Sequence, residues 1–306
     1  VAADGRPATF DELAAAADGS TPRALRDHLG QLARWGVVRA VRAARTDGAA
    51  GRAIVGWALE PGGRELHRVS ALMTRVVSTT LRLPPHVDAD KRDEVARLVI
   101  ATLDDPIVVE VVRTLAVHPY FAGELEAACS GVAPRRSLYR RLNRLIEVGA
   151  IERHSTHEVP RRTRYELADA WRPLALLLLL GAWWEWRHAD PTENALASDL
   201  EALTHAVAPR TSVDRGLDGV EVRWVVEQPG NVREVRLVGA SGRLRAERGS
   251  AADDAATDAV VRASPDAWCA ALITKDRSGL AVQGDAGLAA QVGEAVRLAL
   301  LAPLSG

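Results

Sequence analysis

The chain has 306 residues, of which 47% are hydrophobic and 26% charged, enough for two or three cores of a soluble globular protein. Its two cysteines, Cys129 and Cys269, lie in no CxxC or Cys/His spacing, which excludes a zinc ribbon or disulfide framework and fits a reducing, cytoplasmic setting. The net charge of −1 hides an asymmetry: residues 1–100 carry +3, residues 101–190 are neutral and residues 191–306 carry −4. Positive charge is almost all arginine, with only Lys91 and Lys275 as lysines, and arginine richness alone also follows from genome composition. The first residues have neither a charged start nor an apolar core, so no secretory signal is read there. The longest uncharged apolar stretch, Pro173 to Trp184, falls short of the ~20 residues of a membrane span.

In chain order the first predicted elements are a helix from Phe10 to Ala17, a Gly19 stop, and a second helix opened by Pro22 and capped by Thr21. Leu25, Leu29 and Leu32 fall at i, i+4 and i+7 and form one apolar stripe, ending at Gly36. Strands follow over Gly36 to Val41 and Ile54 to Leu59, with a polar turn between them. Helices are predicted from Leu66 to Leu83 and Lys91 to Leu103, broken at Pro84-Pro85, and another from Pro106 to Val117. The first pattern then recurs. Leu13, Gly19 and Pro22 match Leu125, Gly131 and Pro134; Leu25, Leu29, Leu32 and Gly36 match Leu138, Leu142, Leu145 and Gly149. The second copy predicts a helix over Ala122 to Ala128, the leucine-striped helix, and strands over Ala150 to Arg153 and Arg164 to Leu167. Helix–turn–helix followed by a β-hairpin is the winged-helix arrangement. The first copy lacks a counterpart of Pro106 to Val117, and the chain opens without Met, so the natural protein is expected to begin further upstream.

The segments "LRDHLGQLARWGVVRA…GWALEPGGRELHRV" and "LYRRLNRLIEVGAIER…RYELADAWRPLALLLLLGAWWEWRHAD" resemble bacterial MarR/HxlR-type winged-helix regulators, over roughly residues 8–190. The resemblance implies a transcription regulator that binds double-stranded DNA.

Charge placement agrees with that implication. With the second leucine stripe inward, the opposite helix face presents Arg136, Tyr139, Arg140, Asn143 and Arg144. Arginine can pair with guanine and asparagine with adenine, while further arginines fix register on phosphates. The wing adds Arg153, Arg161, Arg162 and Arg164. The first copy offers Arg23, Arg26, Gln31 and Arg34 on its helix and Arg42, Arg45 and Arg52 on its wing, but Asp27 repels phosphate. The second copy is therefore expected to read sequence and the first to supply affinity. Solvated helix faces and protein-interaction modules show similar patterns, so an adaptor remains an alternative. Two units in one chain suit a monomer imitating a dimer, reading sites near 34 Å apart; the apolar helix Trp171 to Trp186 equally suits a homodimer.

After Asp190-Pro191 the pattern changes to strands over Val220 to Glu227, Asn231 to Val238, Gly242 to Arg248 and Thr257 to Ala263, with a Pro229-Gly230 turn. A helix opens at Pro265, a strand spans Gly279 to Val282, and Asp285 caps a last helix to Leu301. The expected class is α+β, multidomain: units at 1–83 and 84–190 followed by a mostly antiparallel sheet with helices at 191–306. "GRLRAERG", "VVRASPDAWC" and "GLAVQGDAGLAAQV" resemble sterol-carrier-protein-type (SCP2-like) domains over roughly residues 195–302, which implies an apolar cavity for a lipid-like or aromatic ligand. Trp224 and Trp268 are candidate walls, though each taken alone reads first as an ordinary core tryptophan. Trp171, Trp183, Trp184 and Trp186 cannot all face one way on a helix, and are candidates for packing between domains or for the same ligand.

Catalytic signatures do not emerge. No GxSxG, Walker loop, HExxH or strand-following GxGxxG is present, His154 and His157 lack a third ligand, and Asp253-Asp254 reads as a solvated turn. A non-enzymatic protein without cofactor or metal is expected. The function read from the sequence is a DNA-binding regulator that responds to an apolar small molecule; the alternative is a sequestration or self-resistance protein using the winged helices as scaffold.

Overall fold

The computed structural model describes residues 6–17, 21–44, 52–80, 99, 105–156, 161–188, 196–249 and 257–302. Two compact units are formed, residues 1–71 with 184–193 and residues 72–183 with 194–306. The expected boundaries at 83–84 and 190–191, the Pro84-Pro85 break and, Val99 apart, the helix over 91–103 lie outside the described residues.

In the first unit, α1 (Phe10–Ala16) is closed by a capping box in which Thr9 and Glu12 satisfy each other's backbone N–H groups. α2 (Pro22–Arg34) begins as the sequence predicts, with the Thr21 hydroxyl accepting from the Ala24 N–H at 3.2 Å. It ends at Gly36, whose φ of +68° is the left-handed conformation that lets the chain turn into β1 (Val38–Ala44). β1 pairs antiparallel with β2 (Arg52–Leu59), Val38 opposite Leu59, with a bulge between Val41 and Arg42. On the other edge of β2, Ala8 forms an isolated antiparallel bridge with Trp57, a one-residue third strand beside the hairpin. Helix α3 (Pro61–Thr80) follows. Leu29 is fully buried while Leu25 and Leu32 are half-buried, so the first stripe faces a thinner core than its counterpart.

The second unit opens with α4 (Pro106–Val117), capped by Asp105, which accepts from the Ile107 N–H at 3.0 Å. The two-residue strand β3 (Tyr120–Phe121) leads into α5 (Ala122–Ala128), α6 (Arg135–Glu147), β4 (Ile151–Ser155) and β5 (Thr163–Leu167). Sheet order is β3-β5-β4, all antiparallel. Leu138, Leu142 and Leu145 are each 1% exposed, about 1.5–3 kcal/mol of apolar burial apiece. Gly149 repeats the Gly36 stop at φ +72°. Two details differ from expectation. Pro134 is the cap residue just outside α6 rather than its first residue, and Gly131 sits in a turn without positive φ, α5 having ended three residues earlier.

A 3-10 segment (Asp169–Leu174) precedes α7 (Ala175–His188), so the apolar helix starts four residues later than Trp171. Then comes α8 (Leu196–Val207), which the sequence reading missed; every residue in it except Ser198 is buried. It packs between α4 and a five-stranded sheet of order β10-β9-β6-β7-β8. The strands are β6 (Glu221–Gln228), β7 (Asn231–Ala240), β8 (Arg243–Arg248), β9 (Ala259–Ala263) and β10 (Ala281–Gly284). Only the β6–β9 pair is parallel, within the mostly antiparallel sheet the strand pattern predicts. Helix α9 (Pro265–Cys269) is capped by Ser264 and continues as a π-helical turn over Ala270–Thr274. α10 (Ala286–Leu301) starts at Asp285, whose carboxylate accepts from Gly287 and Leu288. The molecule is thus mixed α and β. Among the described residues no helix is long and apolar enough to cross a membrane.

Candidate nucleic-acid interface

Helix α6 is amphipathic to the point of segregation. Its leucines are buried, and Arg136, Arg140, Asn143 and Arg144 all stand exposed on the remaining surface. Its position is fixed from behind: Arg141, half-buried, donates to the Asp105 carboxylate at 2.8 Å, tying α6 to the N-terminus of α4. Burial is the largest single influence and would raise the Asp105 carboxyl, but the Arg141 hydrogen bond and charge together with the backbone N–H groups of Ile107 and Val108 outweigh it and hold the pKa below its ordinary value. At the other end of the helix–turn–helix, Glu126 on α5 takes an ion pair from Arg135 at 3.3 Å and a long hydrogen bond from the Tyr139 hydroxyl at 3.5 Å. The Arg135 guanidinium also lies 5.7 Å from the Tyr139 ring centroid. Tyr139 is therefore half-buried and partly engaged, while the arginines beside it are open.

The wing divides in the same way. Arg153 on β4, Arg161 just before β5 and Arg164 on β5 are exposed. Arg162 packs its guanidinium 3.7 Å from the Phe121 ring centroid and sits 3.6 Å from Glu124, which also accepts from the Phe121 N–H at 2.9 Å. That places Arg162 as a staple between wing and α5. Sequence spacing gave no signal for this contact, nor for the Arg141–Asp105 pair, because both partners are remote in the chain. His154 lies 3.3 Å from Glu152, and His157 lies outside the described residues.

In the first unit Arg23, Arg26, Gln31, Arg34 and Arg42 are exposed, as is Asp27. Arg26 lies 4.8 Å from the Phe10 ring centroid, which ties it to α1. Arg45 and the side chain of Arg52 lie outside the described residues.

The tryptophans separate into distinct surroundings. Trp224 and Trp268 pack as a tilted pair, 4.5 Å between centroids and 34° between planes, and both line a cavity of about 110 Å³ between the C-terminal sheet, α9 and α10. The Trp268 Nε1–H donates to the Val225 carbonyl at 3.1 Å. Trp183 donates to the Asp266 carboxylate at 2.9 Å. Its neighbour Trp184 donates to the Gly62 carbonyl at 2.9 Å and packs on Val37 and Val38. Trp171, in the 3-10 segment, and Trp186, near the end of α7, are half-buried; neither they nor Trp183 and Trp184 line this cavity.

Comparison with known proteins bears on α4 to α7. No curated protein matches the chain. A solved structure described as "UbiJ-SCP2 Ubiquinone synthesis protein" is similar at 22% identity over 36% of this chain and 95% of that chain, with a TM-score of 0.23. Residues 107–192 match the HxlR-like helix-turn-helix family, a match that takes in the basic face of α6 and points to a DNA-binding transcriptional regulator.

Proposed function

We propose that the protein is a transcription regulator built on two winged-helix units, in which α6 enters the major groove of double-stranded DNA and the β4–β5 hairpin flanks it as a wing. The observation that carries this reading is the exposed set Arg136, Arg140, Asn143 and Arg144 standing opposite three buried leucines on one helix. Arg136, Arg140 and Asn143 supply base-edge readout, and Arg144, Arg161 and Arg164 phosphate contacts. Helix α2, with Arg23, Gln31 and Arg34 flanking Asp27, adds affinity more than sequence preference. The protein works in the cytoplasm by binding and not by catalysis, and a small apolar molecule in the C-terminal cavity modulates it. A second reading, sequestration of that molecule with the helices as scaffold, is favoured by the cavity alone.

Fluorescence anisotropy with random duplex and with DNA upstream of its own gene, at two salt concentrations, separates them. Tight binding to the upstream DNA, weakened by salt and by Arg136→Ala/Arg140→Ala, is expected. Each lost phosphate contact should lower the log–log salt slope by about 0.9. Absence of binding at low salt sinks the regulator.

A further inference from the structure

The C-terminal cavity is small and apolar, and the sequence holds it open from two sides. Trp224 and Val261 form the sheet wall, Trp268 and Leu272 a second wall, and Ala289 and Gly293 of α10 a third. On α10 the positions Ala286, Ala289, Ala290 and Gly293 follow i, i+3, i+4 and i+7 and all line the cavity, so the helix face toward the empty space is made of small residues alone. Gly293 is the informative one. A glycine inside a helix costs about 1 kcal/mol relative to alanine, yet a Cβ placed there would meet nothing within 4 Å. No neighbour requires the glycine; what it preserves is volume. The second wall contains the π-helical turn at Ala270–Thr274, a form that is rare and concentrates at functional sites. It is stopped by Lys275 at φ +63°.

The chemistry of the walls narrows the occupant. The one polar atom of Trp268 is spent on the Val225 carbonyl, leaving its ring to face the cavity as an apolar surface. Arg277, the charged residue in the lining, is paired with Glu294 at 3.0 Å and is exposed. A charged ligand group thus has no buried partner among the described residues. Size sets the other limit. An engineered apolar cavity of roughly 150 Å³ holds one benzene, and 110 Å³ is of that order.

We propose that this cavity binds one uncharged, single-ring aromatic molecule of about the size of toluene or phenol, and neither an acyl chain nor a sterol. The proposal rests on the ligand-responsive part of the function above and is independent of the DNA reading. Calorimetric titration of the full chain with phenol and with toluene tests it, with palmitate as the lipid comparison. Saturable one-to-one binding is expected, weakened at least about tenfold by Gly293→Leu, while palmitate gives none. Should Gly293→Leu lose its helical circular dichroism, Ala290→Leu fills the same space from a half-buried position. Failure of both ring probes to bind the wild-type chain overturns the proposal, as does undiminished binding in the filled variant or tighter binding of palmitate. Anisotropy on the same preparation keeps the two readings apart. DNA binding without ring binding removes this inference alone, and ring binding without DNA binding removes the regulator alone.

Discussion

Arg113 on α4 donates to the Asp199 carboxylate on α8 at 2.7 Å, joining helices 86 residues apart in sequence, and Glu110 holds the other side of the same guanidinium at 2.6 Å. Asp199 is 3% exposed, and burial pushes its carboxyl above the ordinary value even against Arg113. Removing Asp199 leaves the buried Nε side of the Arg113 guanidinium without its acceptor, with Glu110 still on the other side. Asp199→Ala is expected to cost about 3–5 kcal/mol, and Arg113→Met/Asp199→Leu to recover most of it. Urea denaturation measures both; a loss below about 1 kcal/mol for the single variant would make this an ordinary surface pair.

His205, on the same helix, is 5% exposed, and its Nε2 has no hydrogen-bond partner among the described residues. Burial first, then the charges of Arg248 and His118, lower its pKa to about 4. An imidazole neutral in the fold but titrating near 6.5 when unfolded lets the unfolded chain take up protons first as pH falls. Stability conferred by this residue is therefore complete above about pH 6.5 and declines as pH drops toward 4, by roughly 3 kcal/mol. Denaturation midpoints across that range, wild type against His205→Gln, check the slope; an unchanged slope in the variant refutes the assignment.

Gly30 and Gly36 sit six residues apart around the end of α2, and a Cβ at either would meet open space. Their substitutions should nevertheless differ in sign. Gly30→Ala removes a helix-interior glycine and should stabilise by about 1 kcal/mol. Gly36→Ala forces a side chain into the left-handed region at φ +68° and should cost about 1–2 kcal/mol. Thermal unfolding of the two single variants decides it, and equal signs would contradict the backbone argument.

Arg162 and Arg164 make a second contrasting pair. Arg162→Ala removes the contact with Phe121 and Glu124 and is expected to lower stability by about 1 kcal/mol. Arg164→Ala leaves stability within about 0.5 kcal/mol and weakens DNA binding. Parallel unfolding and anisotropy measurements would show the roles reversed if the staple is wrongly assigned.

Both thiols are buried, and burial raises Cys129 to about 11 and Cys269 well above its ordinary value. Since the thiolate is the reactive form, a disulfide-exchange reagent at pH 8 should leave both cysteines intact in the folded protein and titrate two per chain in denaturant. Rapid native labelling would overturn this.

The elements legible in the sequence were those with local punctuation. Gly36 and Gly149 closed their helices as read, the leucine stripe of α6 is buried at all three positions, and the turn at Pro229-Gly230 separates β6 from β7. Helix α8 was not legible because it has no solvent face. Asp199, Glu201, Thr204 and His205 look like a polar surface in the sequence, yet all four are buried, Asp199 against Arg113 and Glu201 against Arg248. The basic face of α6 could be read from spacing alone, since it needs only helical geometry. Which wing arginine is free and which is stapled could not, because that depends on Phe121 and Glu124 from another element.

The place of α8 also bears on how this protein can be taken apart. Val108, Val111, Val112 and Leu115 of α4 are buried, and α8 is among the elements packed against that helix. A fragment cut after residue 190 would bare an apolar strip and strand Arg113 without Asp199. The segment matched to the HxlR-like helix-turn-helix family is thus no interchangeable cassette: grafting it elsewhere would require carrying α8 along, or rewriting the outer surface of α4.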